Sequence, residues 1–200
     1  MEKKHLVLAS GSPRRKELLS QLGYEFSVLV TDVEECKHAQ ETAEEYVKRL
    51  SLDKALAALS LLKDNPSERQ HVVPSSDTVV LGSDTVVVSQ GQVLEKPCDF
   101  ADSKRMLTQL ANGRHQVMTA VSVVLKEKQK TEIVITDVWF KPLSEKEIEQ
   151  YWQTGEPCDK AGSYGIQGLG GRFVTRIEGS YYAVVGLPLF ETDQLLQEFL

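Results

Sequence analysis

The segment Leu8-Ala9-Ser10-Gly11-Ser12-Pro13-Arg14-Arg15 decides how this chain begins to fold. The apolar residues at its start predict a first strand, which ends at the Ser-Gly-Ser turn. Pro13 then opens a helix, because a proline at the first helical position lacks the N–H that would otherwise be unpaired, and Ser12 can cap the same turn. The segment therefore predicts a loop of free backbone N–H groups at a helix N-terminus, with two arginines in the first turn.

These two arginines, Arg14 and Arg15, oppose the helix dipole, so their presence needs a physical reason. Exposed N–H groups and the positive end of a helix dipole both favour a bound anion, and a phosphate would account for the arginines. An ordinary strand–turn–helix with two solvated arginines explains the same residues. From this segment alone both interpretations stay open.

The composition of the 200 residues, 41% of them hydrophobic, fits one compact domain that could be bilobed. A net charge of −6 argues against a nucleic-acid scaffold, which usually presents a basic face. We expect no membrane span, because no apolar run approaches the roughly 20 residues that one needs. We also expect no signal peptide, since the apolar run near the N-terminus is too short for one.

The cysteines and histidines limit the kinds of metal site that the chain could hold. Three cysteines, an odd number without CxxC spacing, indicate free thiols in a reducing cytoplasm. The four histidines are scattered along the sequence. We therefore expect any bound metal to be a hard cation held by carboxylates and phosphate oxygens.

Helical and strand patterns alternate along the chain, which predicts an α/β fold. Capping boxes at Thr42-Ala43-Glu44-Glu45 and Ser144-Glu145-Lys146-Glu147 predict two helices, the first ending near Lys63 and the second running through Trp152. Further helices are predicted after Pro13, after Asp99 and at the C-terminus. Strands are predicted at 26–30, 79–81, 85–89, 93–94, 117–125, 132–140, 173–177 and 181–185.

Lys54 lies on the apolar face of the predicted helix after Thr42. At about 100° per residue it falls in the same arc as four apolar residues, Leu50, Ala57, Ala58 and Leu61. Burying an ammonium without a partner is costly, so this lysine either extends to solvent or faces a charged site.

Asp84 and Asp77 occupy the same position in a repeated Ser-Asp-Thr-Val-Val sequence. Asp84 follows the apolar run 79–81, so we expect its carboxylate at the end of a strand, where α/β folds bind ligands. Asp77 follows a Pro-Ser-Ser turn, and we interpret it as a solvated loop residue.

Several other polar residues allow both a functional and an ordinary interpretation. Glu34 and Glu35 could form a charged turn. Lys96 precedes a proline, which holds the lysine backbone extended. This geometry fits a lysine that binds phosphate, and it also fits an ordinary surface lysine. Asp159 and Lys160 could be a simple surface pair, and His115 is interpreted as a core histidine.

The glycine-rich stretch 162–171 matches neither the dinucleotide-binding fingerprint nor a Walker A motif. We predict a long loop whose backbone approaches a ligand closely. Gln167, at its centre, offers both a donor and an acceptor to the edge of a base.

Five motifs together resemble the Maf family of nucleoside triphosphate pyrophosphatases. The first is the N-terminal segment quoted above. The others are Gly82-Ser83-Asp84-Thr85-Val86-Val87, Leu94-Glu95-Lys96-Pro97, His115-Gln116-Val117-Met118-Thr119 and Asp159-Lys160-Ala161-Gly162-Ser163-Tyr164-Gly165-Ile166-Gln167-Gly168. They follow the order of the family and extend over nearly the whole chain.

The resemblance implies an elongated mixed β-sheet flanked by helices in two lobes with a central cleft, forming one bilobed domain over residues 1–200. It implies a cytoplasmic enzyme that cleaves nucleoside triphosphates between the α- and β-phosphates with Mg²⁺ or Mn²⁺, and the family suggests a homodimer. It further implies the house-cleaning of nucleotide pools and a link to septum formation. Neither a nucleic acid nor a membrane is an expected partner.

The same resemblance assigns roles to individual residues. Asp84 is the general base and a metal contact, and Glu35 holds the metal. Lys54, Lys96 and Arg15 neutralise the triphosphate. The other substrate-binding candidates are Ser10, Ser12, Arg14, Thr85, Asp159, Lys160 and Gln167. Of these, Arg14, Thr85 and Gln167 match a subgroup that prefers dTTP and UTP.

Three alternatives stay open at this point. One is an enzyme of the same family directed at purine or modified-base nucleotides. Another is a non-catalytic nucleotide-sensing regulator of cell division, and the third, weakened by the acidic charge, is a nucleic-acid-binding module.

Overall fold

The computed structural model of the protein describes residues 4–64 and 78–200. In these ranges the strands are β1 (His5–Ala9), β2 (Phe26–Val28), β3 (Thr78–Ser89), β4 (Gln92–Leu94), β5 (Arg114–Leu125), β6 (Lys128–Phe140) and β7 (Val174–Glu178). The α-helices are α1 (Pro13–Gln21), α2 (Ala43–Asp64), α3 (Phe100–Leu110), α4 (Glu145–Gln153), α5 (Tyr181–Val185) and α6 (Leu189–Phe199). The predicted alternation of helices and strands is confirmed.

The strands form one mixed sheet in the order β2-β1-β3-β5-β6-β7, with β4 paired to β3. Strand β1 runs parallel to β2 and β3, so that Leu8 lies opposite Val28 on one side and Leu81 on the other. Strands β4 and β7 are antiparallel to their partners β3 and β6. Strand β5 is buried over most of its length, as predicted for a central strand with two apolar faces.

Both predicted capping boxes are present at the helix starts. The Thr42 N–H donates to Glu45 Oε2 at 2.8 Å, while the Glu45 N–H donates to Thr42 Oγ1 at 3.2 Å. The Ser144 and Glu147 side chains form the same reciprocal pair at the start of α4. Each box satisfies N–H groups that have no partner inside the helix, which explains why both helices begin where the sequence predicts.

The chain divides into two compact units. The first comprises Met1–Asp84, Thr119–Ile133 and Gly186–Leu200, and the second comprises Thr85–Met118 and Val134–Val185. Each has an apolar cluster of its own. The cluster of the first unit includes Val7, Ala9, Ala55, Ala58, Leu59, Leu62, Val80 and Val124. The cluster of the second unit includes Leu94, Met106, Leu107, Leu110, Val138, Phe140, Tyr151 and Phe173.

Gly82 allows helix α2 to lie directly against strand β3. A Cβ atom at this position would be 2.2 Å from the Ser51 carbonyl oxygen and 2.9 Å from the Ala55 nitrogen. Ser51 and Ala55 are themselves fully buried in α2. No side chain fits between the two backbones, so this contact requires glycine.

Strand β3 is one continuous strand of 12 residues, whereas the sequence predicted two short strands with a break after residue 81. The break was predicted at Gly82, but Gly82 pairs with Ala9 in the parallel ladder. The glycine marks a close backbone approach and not a turn. Asp84 consequently lies within a strand, and the prediction that it follows a strand end is wrong.

The segment 181–185 is helix α5, and the predicted strand is wrong there. Ser180 caps this helix: its Oγ accepts from the Ala183 N–H at 3.2 Å, and its carbonyl accepts from the Val184 N–H at 3.2 Å. Gly179 precedes the cap with a φ of +130°. A five-residue apolar run does not distinguish a strand from a helix by periodicity, so these caps decide the outcome.

Cys36, Cys98 and Cys158 are exposed and form no disulfide. Over residues 4–64 and 78–200, no helix combines the length and the apolar character that crossing a membrane requires.

His115 is a core residue of the second unit, as predicted, and only 2% of it is exposed. Its Nε2 lies 2.8 Å from the Tyr164 hydroxyl, and its ring packs edge-on against Phe140 and Tyr164. Its Nδ1 is buried without a hydrogen-bond partner among the described residues. Burial lowers the pKa of His115 from 6.5 to about 4.

This histidine makes stability depend on pH. Between pH 6.5 and about 4 the unfolded chain binds a proton at His115 that the folded chain does not, so stability falls as the pH drops through this window. The difference corresponds to roughly 3 kcal/mol of unfolding free energy. Urea unfolding of the wild type and His115→Phe between pH 7.5 and 4 checks this. The free energy of unfolding of the wild type, relative to that of His115→Phe, should decrease as the pH falls. A difference that stays constant with pH would contradict the prediction.

The close packing at Gly82 gives a second prediction. Gly82→Ala should lower the free energy of unfolding by about 3 kcal/mol or more, because its methyl group would overlap backbone atoms of α2. Gly113→Ala is the matched control, since the nearest heavy atoms to its added Cβ are 3.7 Å away. Thermal and urea unfolding compare the two variants, and equal stabilities would show that α2 can move aside.

Candidate active site

The ammonium group of Lys54 bridges two carboxylates in the first unit. Its Nζ lies 2.6 Å from Asp84 Oδ1 and 2.6 Å from Glu35 Oε1. The side chains of Lys54 and Asp84 are only 12% and 9% exposed, whereas that of Glu35 is 39% exposed. Of the two alternatives for Lys54, the structure shows the charged site, which we call the carboxylate–lysine cluster (Glu35, Lys54 and Asp84).

Helix α2 places Lys54 at the edge of its buried face. Ser51, Ala55 and Ala58 on this face are fully buried, whereas Leu61, which the sequence placed in the apolar arc, is 36% exposed. The buried face is therefore rotated from the predicted one, toward the residues that contact Gly82. This rotation leaves Lys54 beside β3 and its Asp84.

Asp84 is a buried carboxylate with cations beside it. Burial raises its pKa, and the positive charges of Lys54 and Arg15 act in the opposite direction without cancelling the rise. A raised pKa makes a carboxylate a stronger base, so Asp84 is better suited to accept a proton near neutral pH than an exposed aspartate.

Glu35 is held from helix α2 as well. The hydroxyl of Tyr46, a fully buried residue of α2, donates to the Glu35 carbonyl oxygen at 3.1 Å. Helix α2 thus supplies Lys54 and also fixes the backbone of the residue that pairs with it. Sequence reasoning missed Tyr46, because it looks like one more apolar residue of the helix.

The predicted anion-binding segment forms the start of α1, but it is not a row of free donors. Ser12 Oγ accepts from the Arg15 N–H at 3.4 Å, as predicted for the cap. Ser10 Oγ accepts from the Ser12 N–H at 3.2 Å. The prediction of free N–H groups is wrong for these two donors, because the neighbouring serine hydroxyls use them.

Arg15 is positioned by the backbone near the C-terminus. Its Nε donates to the Gly186 carbonyl at 2.9 Å, and the Ser83 hydroxyl donates to the same oxygen at 3.2 Å. Gly186 has a φ of +132°, a conformation that favours glycine. No sequence motif pointed to Gly186, since the contact joins residues that are far apart in the chain.

Arg15 interacts electrostatically with both carboxylates of the carboxylate–lysine cluster. Burial lowers the pKa of Arg15. The charges of Asp84, Arg14 and Glu35 also act on its guanidinium group. Together with Lys54, these side chains comprise three cations and two carboxylates. A surplus of positive charge suits a polyphosphate ligand.

The carboxylates of Glu35 and Asp84 also fit the expected divalent cation. Both approach one ammonium nitrogen within 2.6 Å, so their oxygens converge. Among the described residues, no group of three or more His, Cys, Asp and Glu side chains could hold a metal. Mg²⁺ commonly uses one or two carboxylates and takes its other ligands from phosphates and water, so two carboxylates are sufficient.

The other predicted site residues lie in the second unit. Thr85 on β3 is partly exposed, and Lys96, Asp159 and Gln167 are exposed. The Lys160 Nζ donates to Asp159 Oδ1 at 2.7 Å and to the Glu156 carbonyl at 2.8 Å. Asp159 and Lys160 therefore form an ion pair, which was one of the two interpretations left open by the sequence, and their role toward a substrate stays a prediction.

The glycine-rich loop is present and contains short 3₁₀ turns at Ala161–Ser163 and Leu169–Phe173. Sequence reasoning missed its two anchors, Tyr151 and Glu156, whose side chains bond to each other and to the loop backbone. In the sequence, Glu156 between Gly155 and Pro157 looks like an ordinary helix end.

Asp77 lies outside the described residues, so its comparison with Asp84 stays a prediction.

Comparison with known proteins identifies the family. The profile of the Maf family, described as "Maf-like protein", matches residues 5–199. The chain is 70% identical over 195 residues to the dTTP/UTP pyrophosphatase of Vibrio parahaemolyticus serotype O3:K6, covering 98% of this chain and 97% of the relative. It is 63% identical over 194 residues to the dTTP/UTP pyrophosphatase of Vibrio cholerae serotype O1, covering 97% of each chain. It is 49% identical over 197 residues to that of Hahella chejuensis, covering 98% of this chain and 93% of the relative. With its motifs, its fold and these relatives in agreement, the chain belongs to the Maf family.

Proposed function

We propose that this chain hydrolyses dTTP and UTP between the α- and β-phosphates, releasing the nucleoside monophosphate and pyrophosphate. Relatives that are 49% to 70% identical carry the name dTTP/UTP pyrophosphatase. The observation that carries the proposal is the Lys54 ammonium, 2.6 Å from both Glu35 and Asp84. This arrangement joins a buried candidate base to a cation suited to phosphate.

Asp84 is the general base of the proposed reaction. It takes a proton from a water molecule whose oxygen attacks the α-phosphorus, and the bond to the bridging oxygen breaks as pyrophosphate leaves. Burial raises the pKa of Asp84 and strengthens it as a base, while the charges of Lys54 and Arg15 favour the ionised form. The carboxylate is therefore a strong base that can still be ionised before the reaction.

The cations of the first unit neutralise the triphosphate. Arg14, Arg15 and Lys54 exceed the two nearby carboxylates by one charge. Arg15 is held by the Gly186 carbonyl and Lys54 by two carboxylates, so both cations are oriented before a substrate arrives. Such preorganisation stabilises developing charge without reorganisation during the reaction.

A divalent cation, Mg²⁺ or Mn²⁺, completes the proposed site. Glu35 and Asp84 are the residues that would hold it. When bound, such an ion supplies positive charge to phosphate oxygens.

Three residues are proposed to select the base: Arg14, Thr85 and Gln167. A thymine or uracil edge presents an acceptor, a donor and an acceptor, and a glutamine amide can pair with two neighbouring groups of this pattern. Cytosine reverses part of the pattern and would leave polar groups unpaired, which gives strong discrimination.

The biological setting is proposed from the family resemblance. It comprises a cytoplasmic location, a homodimer, and the house-cleaning of nucleotide pools with a link to septum formation.

A nucleotide panel tests the reaction, the metal and the base preference together. Pyrophosphate and monophosphate should form in equal amounts, with the highest kcat/KM for dTTP and UTP and lower values for CTP, ATP and GTP. EDTA should abolish the activity, and added Mg²⁺ or Mn²⁺ should restore it. Orthophosphate with a nucleoside diphosphate would contradict the cleavage position. A preference for ITP, GTP or CTP would overturn the base assignment while leaving the pyrophosphatase activity intact, and a preference for ITP or GTP would favour the purine- or modified-base alternative. No turnover with any nucleotide would favour the regulatory alternative.

Removal of the candidate base tests the role of Asp84. Asp84→Asn should lower kcat by about 10²- to 10⁴-fold, the usual contribution of a positioned general base. Asp77→Asn is the matched control, because Asp77 stands in the same Ser-Asp-Thr-Val-Val sequence, and it should retain wild-type turnover. Equal losses in both variants, measured by pyrophosphate release on folded samples, would reject the assignment.

A further inference from the structure

The carboxylate of Glu156 holds one side of the glycine-rich loop. It accepts hydrogen bonds from the Leu169 N–H at 2.8 Å and from the Gly170 N–H at 2.9 Å. It also accepts one from the Tyr151 hydroxyl at 2.7 Å. Three donors converge on one side chain that lies outside the loop, so Glu156 acts as its anchor.

Tyr151 extends this anchor to the other side of the loop. Its hydroxyl, while donating to Glu156, accepts from the Gly165 N–H at 3.1 Å. The ring is fully buried and packs edge-on against Phe173, with 4.9 Å between the ring centroids. The hydroxyl therefore has a fixed position, and the Tyr151–Glu156 pair grips the loop at two points.

Two glycines of the loop lie too close to the Tyr151–Glu156 pair to carry a side chain. A Cβ at Gly168 would lie 2.3 Å from Glu156 Oε2, and one at Gly170 would lie 2.6 Å from the Tyr151 hydroxyl oxygen. Five glycines in ten residues make the segment costly to order, since glycine loses more backbone freedom than any other residue. Hydrogen bonds to a fixed carboxylate offset that loss.

The charge state of Glu156 suits it to accept three hydrogen bonds. Partial burial raises its pKa, but the bonds from the Gly170 N–H, the Tyr151 hydroxyl and the Leu169 N–H outweigh this, and the net pKa is lowered. Glu156 is therefore ionised at neutral pH, and an ionised carboxylate has acceptors only.

Gln167 lies midway between the two anchored points. Gly165, two residues before it, is bound by Tyr151, and Leu169, two residues after it, is bound by Glu156. Gln167 itself is exposed, so burial does not fix its direction. The backbone of the loop sets where its amide can reach.

We propose that Glu156 is a positioning residue for base recognition, which fixes the loop through Leu169, Gly170 and Tyr151 and thereby places the Gln167 amide against the edge of thymine or uracil. The proposal rests on the proposed function, in which Gln167 is one of the residues that select the base. The Glu156 carboxylate bonds to Tyr151 and the loop backbone, so in this proposal its effect appears in the discrimination between nucleotides.

Glu156→Gln tests this role with little change of shape, because a glutamine amide replaces one acceptor oxygen by a donor that cannot bond to an N–H. We expect the ratio of kcat/KM for dTTP to that for CTP to fall about tenfold, chiefly through a higher KM for dTTP. The amides of Leu169 and Gly170 should also exchange hydrogen faster. Glu149→Gln, an exposed glutamate of α4, is the matched control and should leave the ratio unchanged.

A double-mutant cycle with Gln167→Ala shows whether Glu156 acts through Gln167. In the Gln167→Ala background, Glu156→Gln should change the ratio by less than about twofold, because coupled residues are not additive. Should Glu156→Gln fail to fold, Tyr151→Phe removes one hydroxyl from the anchor and should lower the same ratio.

The outcomes separate this inference from the proposed function. A lower thermal stability with an unchanged ratio in both Glu156→Gln and Tyr151→Phe would make the anchor purely structural and overturn the inference. If Gln167→Ala itself leaves the ratio unchanged, Gln167 does not read the base, and the inference falls with that part of the proposed function. If pyrophosphate is not a product at all, the proposed function fails first.

Discussion

The backbone contact between helix α2 and strand β3 at Gly82 is the constraint on which the candidate site depends. With no Cβ at Gly82, the Ser51 carbonyl and the Ala55 nitrogen approach the strand more closely than any side chain would allow. The contact sets the rotation of α2 about its axis, and Lys54 lies within the same helical turn. A larger separation would withdraw the Lys54 ammonium from Asp84, two residues after the glycine, and leave that buried carboxylate without its ion-pair partner. The packing of α2 against β3 and the ion pair between Lys54 and Asp84 therefore both depend on the absence of a side chain at Gly82.

The ion pairs of Lys54 matter more for the protonation of Asp84 than for the stability of the fold. Removing charged groups from water costs several kcal/mol per ion, and a buried pair often contributes little net stability compared with apolar residues of the same size. In this unit the pair opposes the effect of burial on Asp84, whose pKa remains raised. A purely apolar site would keep this carboxyl neutral, and a fully solvated one would leave it a weak base.

The parts of this structure that sequence reasoning predicted are those with local causes. Capping boxes, the proline at the start of α1 and the apolar central strand depend on neighbours in the chain, and each is found where expected. The helical phase also placed Lys54 on the apolar face of its helix, although it left open whether the ammonium extends to solvent or faces a charged site. The wrong predictions have nonlocal causes. Gly82 was predicted to end a strand, because the sequence does not show that a helix packs against it. The five apolar residues after Ser180 are compatible with a strand and with a helix. The anchors Glu156 and Gly186 carry no sequence signal, since their roles depend on backbone atoms brought to them by the fold.

The bond between Arg15 and the Gly186 carbonyl has a consequence for biosynthesis. Arg15 is synthesised before the second unit, whereas Gly186 opens the last segment of the first unit, after the entire second unit has been made. Domains generally fold from the N-terminus during synthesis, but this arginine has no backbone acceptor at Gly186 until the whole second unit has been synthesised. A nascent chain or a truncated product therefore contains both carboxylates and Lys54 without a fully oriented Arg15. The orientation of Arg15 by the Gly186 carbonyl is therefore acquired only after the second unit has been made.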